Sequence, residues 1–126
     1  MPDPSAPRTV IVDARMARRR RTGTATYITG LVAALRLAAP ADIRIRVVSG
    51  PPPLPRRGLV TRIGNLVLDI VWTHVALPLI ALSHRAAVIH SPFNWSPVLA
   101  SASPVATIHD LAWERVPETF PGFFRR

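Results

Sequence analysis

Hydrophobic and polar residues follow two different spacings along this chain of 126 residues. Short apolar runs rich in Val and Ile, typical of strands buried in a parallel sheet, alternate with longer stretches whose apolar residues recur every three or four positions, as in helices. The runs predict strands at residues 9–12, 43–48, 86–90 and 104–108. The helical spacing predicts helices at residues 24–39 and 59–83, with a bend near Pro78, and a helical turn or two at residues 98–103.

The order of these elements predicts an α/β fold with a doubly wound parallel sheet. The connection between the second and third strands is long enough to cross back over the first strand, and crossovers of this kind are right-handed. We therefore expect the spatial order second, first, third and fourth strand. Ligands of such sheets bind outside the carboxyl ends of the strands where the order reverses, which here lies between the first and third strands.

The charged residues are distributed unevenly. All 16 cationic side chains are arginines, and residues 1–62 carry the whole net charge of +9, so an anionic partner is expected to meet that half. The lack of lysine beside so many arginines indicates genomic base composition, which weakens the charge as evidence for a partner. The arginines also lack the interleaved aromatic residues typical of nucleic-acid binding. The absence of cysteine excludes disulfides, cysteine-ligated zinc and thiol catalysis.

Two segments bear on where the protein lies in the cell. Residues 1–8 are polar and proline-rich with no apolar segment behind them, so they predict a disordered leader and a cytoplasmic protein. Residues 66–82 form the longest apolar run, which reaches only the lower limit for spanning a bilayer. Asp69, His74 and Pro78 interrupt this run, which favours a buried or membrane-facing helix over a spanning one.

A basic loop separates the first predicted strand from the first predicted helix. Arg18 and Arg19 begin a run of four arginines, and Gly23 and Thr24 then open the helix. A glycine at a helix N-terminus lets backbone N–H groups approach an anion, and the helix dipole favours negative charge there. Neither the dinucleotide-binding fingerprint nor a P-loop is complete. A solvated loop with Thr22 or Thr24 as the N-cap explains the same residues.

Two histidines end predicted strands at the ligand edge. His109, followed by Asp110, ends the fourth strand, and His90 ends the third. An imidazole there can hydrogen-bond a hydroxyl or a phosphate, or accept a proton near neutral pH, although a hydrogen-bonded histidine without a function gives the same pattern. Trp95 and Trp113 fall in loops at this edge, where an aromatic ring stacks on a sugar or packs the rim. The spacing of the histidines does not match a metal site.

Five motifs in order between residues 9 and 121 resemble the start of the GT-B glycosyltransferases related to bacterial mannosyltransferases. They are Asp13-Ala14-Arg15 with Thr22-Gly23-Thr24-Ala25-Thr26-Tyr27, Trp72 with Leu77-Pro78, Val88-Ile89-His90-Ser91-Pro92, Val105-Ala106-Thr107-Ile108-His109-Asp110-Leu111, and Pro117-Glu118-Thr119-Phe120-Pro121. In the family the first motif is a strand ending in Asp-x-Arg, followed by Thr-Gly-Ile-Gly-Arg-Tyr. Here Ala25 replaces the second glycine and Thr26 the arginine, so the family's close approach to a diphosphate is altered.

The resemblance implies a retaining transfer of a sugar from a nucleotide-sugar to a hydroxyl of a glycan or a lipid-linked acceptor, with no cofactor and no metal. Gly23 and Thr24 would then lie at the donor diphosphate, and His109 and Asp110 at the reaction centre. The remaining candidates would form the acceptor rim: Arg18, Arg19, His90, Trp95 and Trp113. A lipid-linked acceptor would bring the protein into peripheral contact with an anionic membrane at its inner face.

The resemblance also implies an incomplete N-terminal half of a GT-B fold. Residues 9–126 would form part of the Rossmann-like acceptor-side domain, while the C-terminal domain that holds the nucleotide-sugar is absent. The chain alone is therefore expected to lack transferase activity.

Two other functions stay open on the sequence alone. One is a different Rossmann-like enzyme or ligand-binding domain whose glycines have diverged. The other is a non-catalytic basic module that binds an anionic ligand, a membrane surface or nucleic acid through residues 15–21. A steep salt dependence of binding, lost when the arginines are neutralised, would identify the basic module.

Overall fold

The computed structural model describes residues 7–18, 22–55 and 57–109. Its strands and main helices follow in the order β1 (Arg8–Asp13), α1 (Gly23–Ala38), β2 (Ile43–Val48), α2 (Leu59–Val71), α3 (Leu77–Ser83), β3 (Val88–Ser91) and β4 (Ser103–Ala106). A short 3-10 helix, Arg15–Arg18, follows β1. A π-helical turn, Trp72–Ala76, joins α2 to α3 without a break.

The four strands form one parallel sheet in the order β2-β1-β3-β4, which confirms the predicted order. Val12 of β1 lies beside Val47 of β2 and His90 of β3, so the carboxyl ends of these strands meet at one edge. An all-parallel sheet with its helices is consistent with an α/β Rossmann-like fold.

The observed elements differ from the predicted ones in the leader, at residues 98–103 and at the ends of the last two strands. β3 begins at Val88, and β4 ends at Ala106, three residues before His109. β1 begins at Arg8, inside the predicted leader, because the Arg8 N–H donates to the Asp42 carbonyl at 2.8 Å. Residues 98–102 form bends and irregular backbone with no helix, and Ser103 is already the first residue of β4. Six residues are too few to offset the cost of helix nucleation, and Pro104 disfavours helical backbone at Ser103. The remainder of the predicted leader, residues 1–6, and the predictions for residues 110–126 lie outside the described residues.

One face of the sheet holds the larger core. Ile11 of β1 and Ile89 of β3 are fully buried there against Leu77 and Ala81 of α3. Successive strand residues point to opposite sides of a sheet, so these isoleucines share a face. Removing their side chains from water stabilises the packing of α3 on the sheet.

α1 packs on the opposite face. Its Ile28 is fully buried against Ala14 and Phe93, which follow β1 and β3 in the chain. Thr22 is the N-cap, since its Oγ1 accepts the N–H of Ala25 at 3.2 Å. The start of α1 is therefore fixed beside the carboxyl ends of β1 and β3.

The long helix Leu59–Ser83 changes its geometry in front of Pro78, where the sequence predicts a bend. Pro78 has no N–H to donate to the carbonyl four residues earlier, and the preceding turn is π-helical instead of α-helical. Pro78 itself lies in the first turn of α3, a position that tolerates proline. By length and composition this helix could cross a membrane, yet one of its faces packs on the sheet.

The Trp72 ring packs directly on the backbone of Gly50, just after β2. A Cβ atom at Gly50 would lie 2.9 Å from Cδ2 of Trp72. We expect Gly50→Ala to lower the free energy of unfolding by about 1–3 kcal/mol through overpacking, as measured by urea unfolding.

The matched control is Gly30→Ala. Gly30 lies within α1, and a Cβ atom there would meet no neighbour within 4 Å. Alanine should therefore raise the free energy of unfolding by about 0.5–1 kcal/mol, because it loses less backbone entropy in a helix. Changes of the same sign and size at the two glycines would contradict the contact between Trp72 and Gly50.

Candidate functional site

The carboxyl ends of β1 and β3 open into a cavity of about 400 Å³. Its walls come from the start of α1, from α2 and from the segments that follow β1, β3 and β4. The lining side chains are those of Arg15, Met16, Thr24, Leu66, Asp69, Phe93, Asn94, Trp95 and His109. The cavity lies where the strand order reverses, which is the usual ligand position in sheets of this type.

Asp13, the last residue of β1, is fully buried. Its Oδ1 accepts the backbone N–H of Arg15 at 2.9 Å, and its Oδ2 accepts the indole N–H of Trp72 at 3.1 Å. Burial raises the pKa of Asp13 above its ordinary value of 3.8, against the opposing effect of Arg15 and Trp72. The carboxyl group thus joins the end of β1 to the π-helical turn.

The Arg15 side chain is buried between the sheet and the long helix. Its Nη1 lies 3.3 Å from Oδ1 of Asp69 and donates to the Asp69 carbonyl at 3.2 Å, while its Nη2 donates to Oγ1 of Thr73 at 3.3 Å. The guanidinium carbon lies 5.4 Å from the centre of the Phe93 ring, within cation–π range. The charges of Arg15 and Asp69 are therefore paired with each other, and the two side chains form a fixed part of the cavity wall.

Two contacts hold His109 at the cavity. Its Nε2 lies 3.0 Å from the carbonyl oxygen of Pro92, and a carbonyl only accepts hydrogen bonds, so Nε2 carries the proton. The Tyr27 ring meets the imidazole edge-on, with 4.9 Å between the ring centres. In the neutral imidazole, Nδ1 is therefore the nitrogen that can accept a proton or a hydrogen bond from a ligand.

The lining has three other polar side chains. The Thr24 hydroxyl, the Asn94 amide and the His109 imidazole can each donate or accept a hydrogen bond. Trp95 is 44% exposed and presents an aromatic surface to the same space. Groups that can donate and accept hydrogen bonds beside an aromatic ring suit a ligand with both hydroxyl groups and apolar C–H faces, as a sugar has.

Thr24 brings the first turn of α1 to the cavity. The N–H groups at a helix start have no acceptor within the helix, and the helix dipole makes this end attractive to negative charge. Gly23 leaves the turn open, because a Cβ atom there would meet no described atom within 4 Å. Gly23 itself is not among the residues that line the cavity, so Thr24 is the residue that brings this helix end to it.

Besides Gly23, two of the predicted site residues do not line this cavity. His90 lines a second, largely apolar cavity of about 250 Å³, where its Nε2 lies 3.1 Å from Oγ1 of Thr107. Burial lowers the pKa of His90 from its ordinary value of 6.5. Arg18 is exposed and donates to the Ser49 carbonyl after β2 at 3.3 Å. Neither residue lines the cavity that contains His109. The predictions for Arg19, Asp110 and Trp113 lie outside the described residues.

Three residues predicted from the sequence line the cavity, whereas the ion pair between Arg15 and Asp69 was not predicted. Thr24, Trp95 and His109 share the lining, as expected for residues at one edge. Arg15 and Asp69 carry no local motif that marks them as partners. The available signal was that Asp69 is the only charged residue between positions 63 and 83, and an acidic group in an apolar helix requires a polar partner.

No family model, curated protein or solved structure matches this chain. Among the residues that the structure describes, no group of three or more His, Asp or Glu side chains could hold a metal ion. The function is therefore inferred from the cavity and from the motifs that reach it.

The buried Asp13 makes stability depend on pH. Because burial raises the pKa of Asp13, the folded protein holds this proton more tightly than the unfolded chain does. The contribution of Asp13 to the free energy of unfolding is therefore greatest below pH 3.8 and falls as pH rises through the raised pKa. We expect wild type to lose stability relative to Asp13→Asn over this range in urea unfolding.

Asp42→Asn is the control for this pH series, since it removes a carboxylate whose side chain is 62% exposed. A stability difference between wild type and Asp13→Asn that stays constant, or grows in favour of wild type as pH rises, would contradict the raised pKa.

Proposed function

We propose that this chain is the N-terminal, acceptor-side part of a retaining glycosyltransferase, which transfers a sugar from a nucleotide-sugar to a hydroxyl of a glycan or lipid-linked acceptor. The observation that supports it most is the cavity where the start of α1, His109 and Trp95 lie together. Two of the five motifs that resemble glycosyltransferases reach this cavity, the first through Arg15 and Thr24 and the fourth through His109.

Each part of the cavity suits one part of this reaction. The transfer breaks the bond between the sugar and the diphosphate and forms a bond to the acceptor oxygen, whose proton passes to the departing diphosphate. Negative charge develops on that leaving group, and the first turn of α1, which reaches the cavity at Thr24, is suited to bind it. Nδ1 of His109 is suited to a hydroxyl of the sugar, and Trp95 to stacking on its ring.

In this proposal the nucleotide-sugar is held mainly by a second domain, and the reaction uses no cofactor and no metal. The purified chain should therefore bind a saccharide or a nucleoside diphosphate. It should not transfer sugar from a sugar nucleotide. Turnover of a sugar nucleotide by this chain alone would overturn the assignment to an acceptor-side part.

Ligand-observed NMR on the full chain tests the site, with methyl mannoside, GDP and UDP as probes. We expect His109→Ala to weaken saccharide binding by about tenfold or more, because a hydrogen bond inside the cavity is lost. His74→Ala is the matched control, since His74 is an exposed histidine in the π-helical turn and does not line the cavity.

Equal saccharide binding by wild type and His109→Ala, or no saccharide binding by wild type, would contradict the proposed site. Binding of GDP and UDP that disappears as salt is added and is indifferent to His109→Ala would favour the basic module instead.

A further inference from the structure

The outward face of the long helix Leu59–Ser83 is apolar apart from the exposed His74. We call it the outward stripe; its main members are Val60, Ile63, Val67, Val71, Val75 and Leu79. Their exposed fractions run from 48% at Val71 to 83% at Val60. The spacing of three and four residues places them in one continuous row along the helix.

The outward stripe is unusual for a helix surface that meets water. A surface helix normally places charged and polar residues opposite its buried face. Here Asp69 is the only charged residue between positions 63 and 83, and it is turned inward to Arg15. An apolar row of this length on an exposed face marks a surface that contacts another apolar phase or partner.

The inner side of the same helix excludes a spanning arrangement. Asp69 and Thr73 hydrogen-bond the buried Arg15, and Trp72 donates to Asp13 of the sheet. A helix that crosses a bilayer would expose these groups and the sheet to hydrocarbon, at a high cost in free energy. The helix can offer a bilayer only its outward stripe, lying in the plane of the surface.

The charges around the outward stripe indicate what covers it. Arg57 and Arg62 are exposed before and at the start of the helix, and Arg85 is exposed just after its end. Among the described residues none of these three forms an ion pair. A second copy of this chain would bring another net charge of +9 to the contact, whereas an anionic bilayer supplies both hydrocarbon and negative charge.

We propose that the outward stripe is a docking surface for an anionic lipid bilayer. The aliphatic side chains enter the boundary between headgroups and acyl chains, while the flanking arginines bind lipid phosphates. The proposal rests on the exposed helix face and its flanking arginines, and it is independent of the sugar site.

Co-sedimentation of the full chain with lipid vesicles tests the proposal. We expect binding to vesicles of phosphatidylcholine with added phosphatidylglycerol, and much less to phosphatidylcholine alone. Val67→Glu with Val71→Glu should lower the bound fraction about tenfold or more, since two charges then enter the apolar contact. The charge-matched control is Leu37→Glu with Leu99→Glu, at leucines that are 89% and 83% exposed outside the stripe.

The arginines are tested in the same assay. Arg57→Gln with Arg62→Gln should weaken binding to the anionic vesicles by about tenfold or more. Arg36→Gln with Arg44→Gln removes the same charge from exposed positions on α1 and β2 and should weaken it far less. All variants change exposed side chains, and urea unfolding checks that each one folds.

Three results would overturn the proposal. In the first, the two double-glutamate variants reduce vesicle binding equally. In the second, vesicle binding does not depend on phosphatidylglycerol. Alternatively, light scattering could show a dimer that Val67→Glu with Val71→Glu dissociates, with no binding to vesicles, in which case a second copy covers the stripe.

Discussion

The ion pair between Arg15 and Asp69 is the interaction on which the rest of this structure depends. It joins the segment after β1 to the middle of the long helix, with side chains that are only 6% and 20% exposed. At such burial each charge requires the other, because removing one leaves its partner poorly solvated. Trp72 and Thr73 extend the contact to Asp13 and Arg15, so both the position and the rotation of the helix are fixed.

This rotation determines both surfaces for which we propose functions. With Asp69 turned inward, Leu66 lines the cavity, and the next residue, Val67, faces solvent in the outward stripe. Leu66 is itself 51% exposed, so the apolar helix surface continues to the edge of the cavity. The outward stripe and the cavity are therefore neighbours on the same helix.

The sequence predicts the sheet well and the site only in part. Strands such as β1, buried on both faces, leave unbroken β-branched runs, and connection lengths with right-handed crossovers limit the possible strand orders. His90 shows what the sequence does not determine. Adjacent strand residues face opposite sides of the sheet, so a position at the end of a strand does not determine which cavity the side chain lines. The contact between Arg15 and Asp69 joins residues 54 positions apart, a separation that leaves no local spacing to read.

The most direct test of this account is a double-mutant cycle on Arg15→Gln and Asp69→Asn, with the free energy of unfolding measured by urea for wild type, both single variants and the double variant. Because the pair is largely buried, we expect a favourable coupling energy of about 1–3 kcal/mol. The double variant should then be less destabilised than the two single effects together imply. A coupling energy within about 0.5 kcal/mol of zero would mean that the two residues act independently. It would contradict the conclusion that this ion pair fixes the long helix on the sheet.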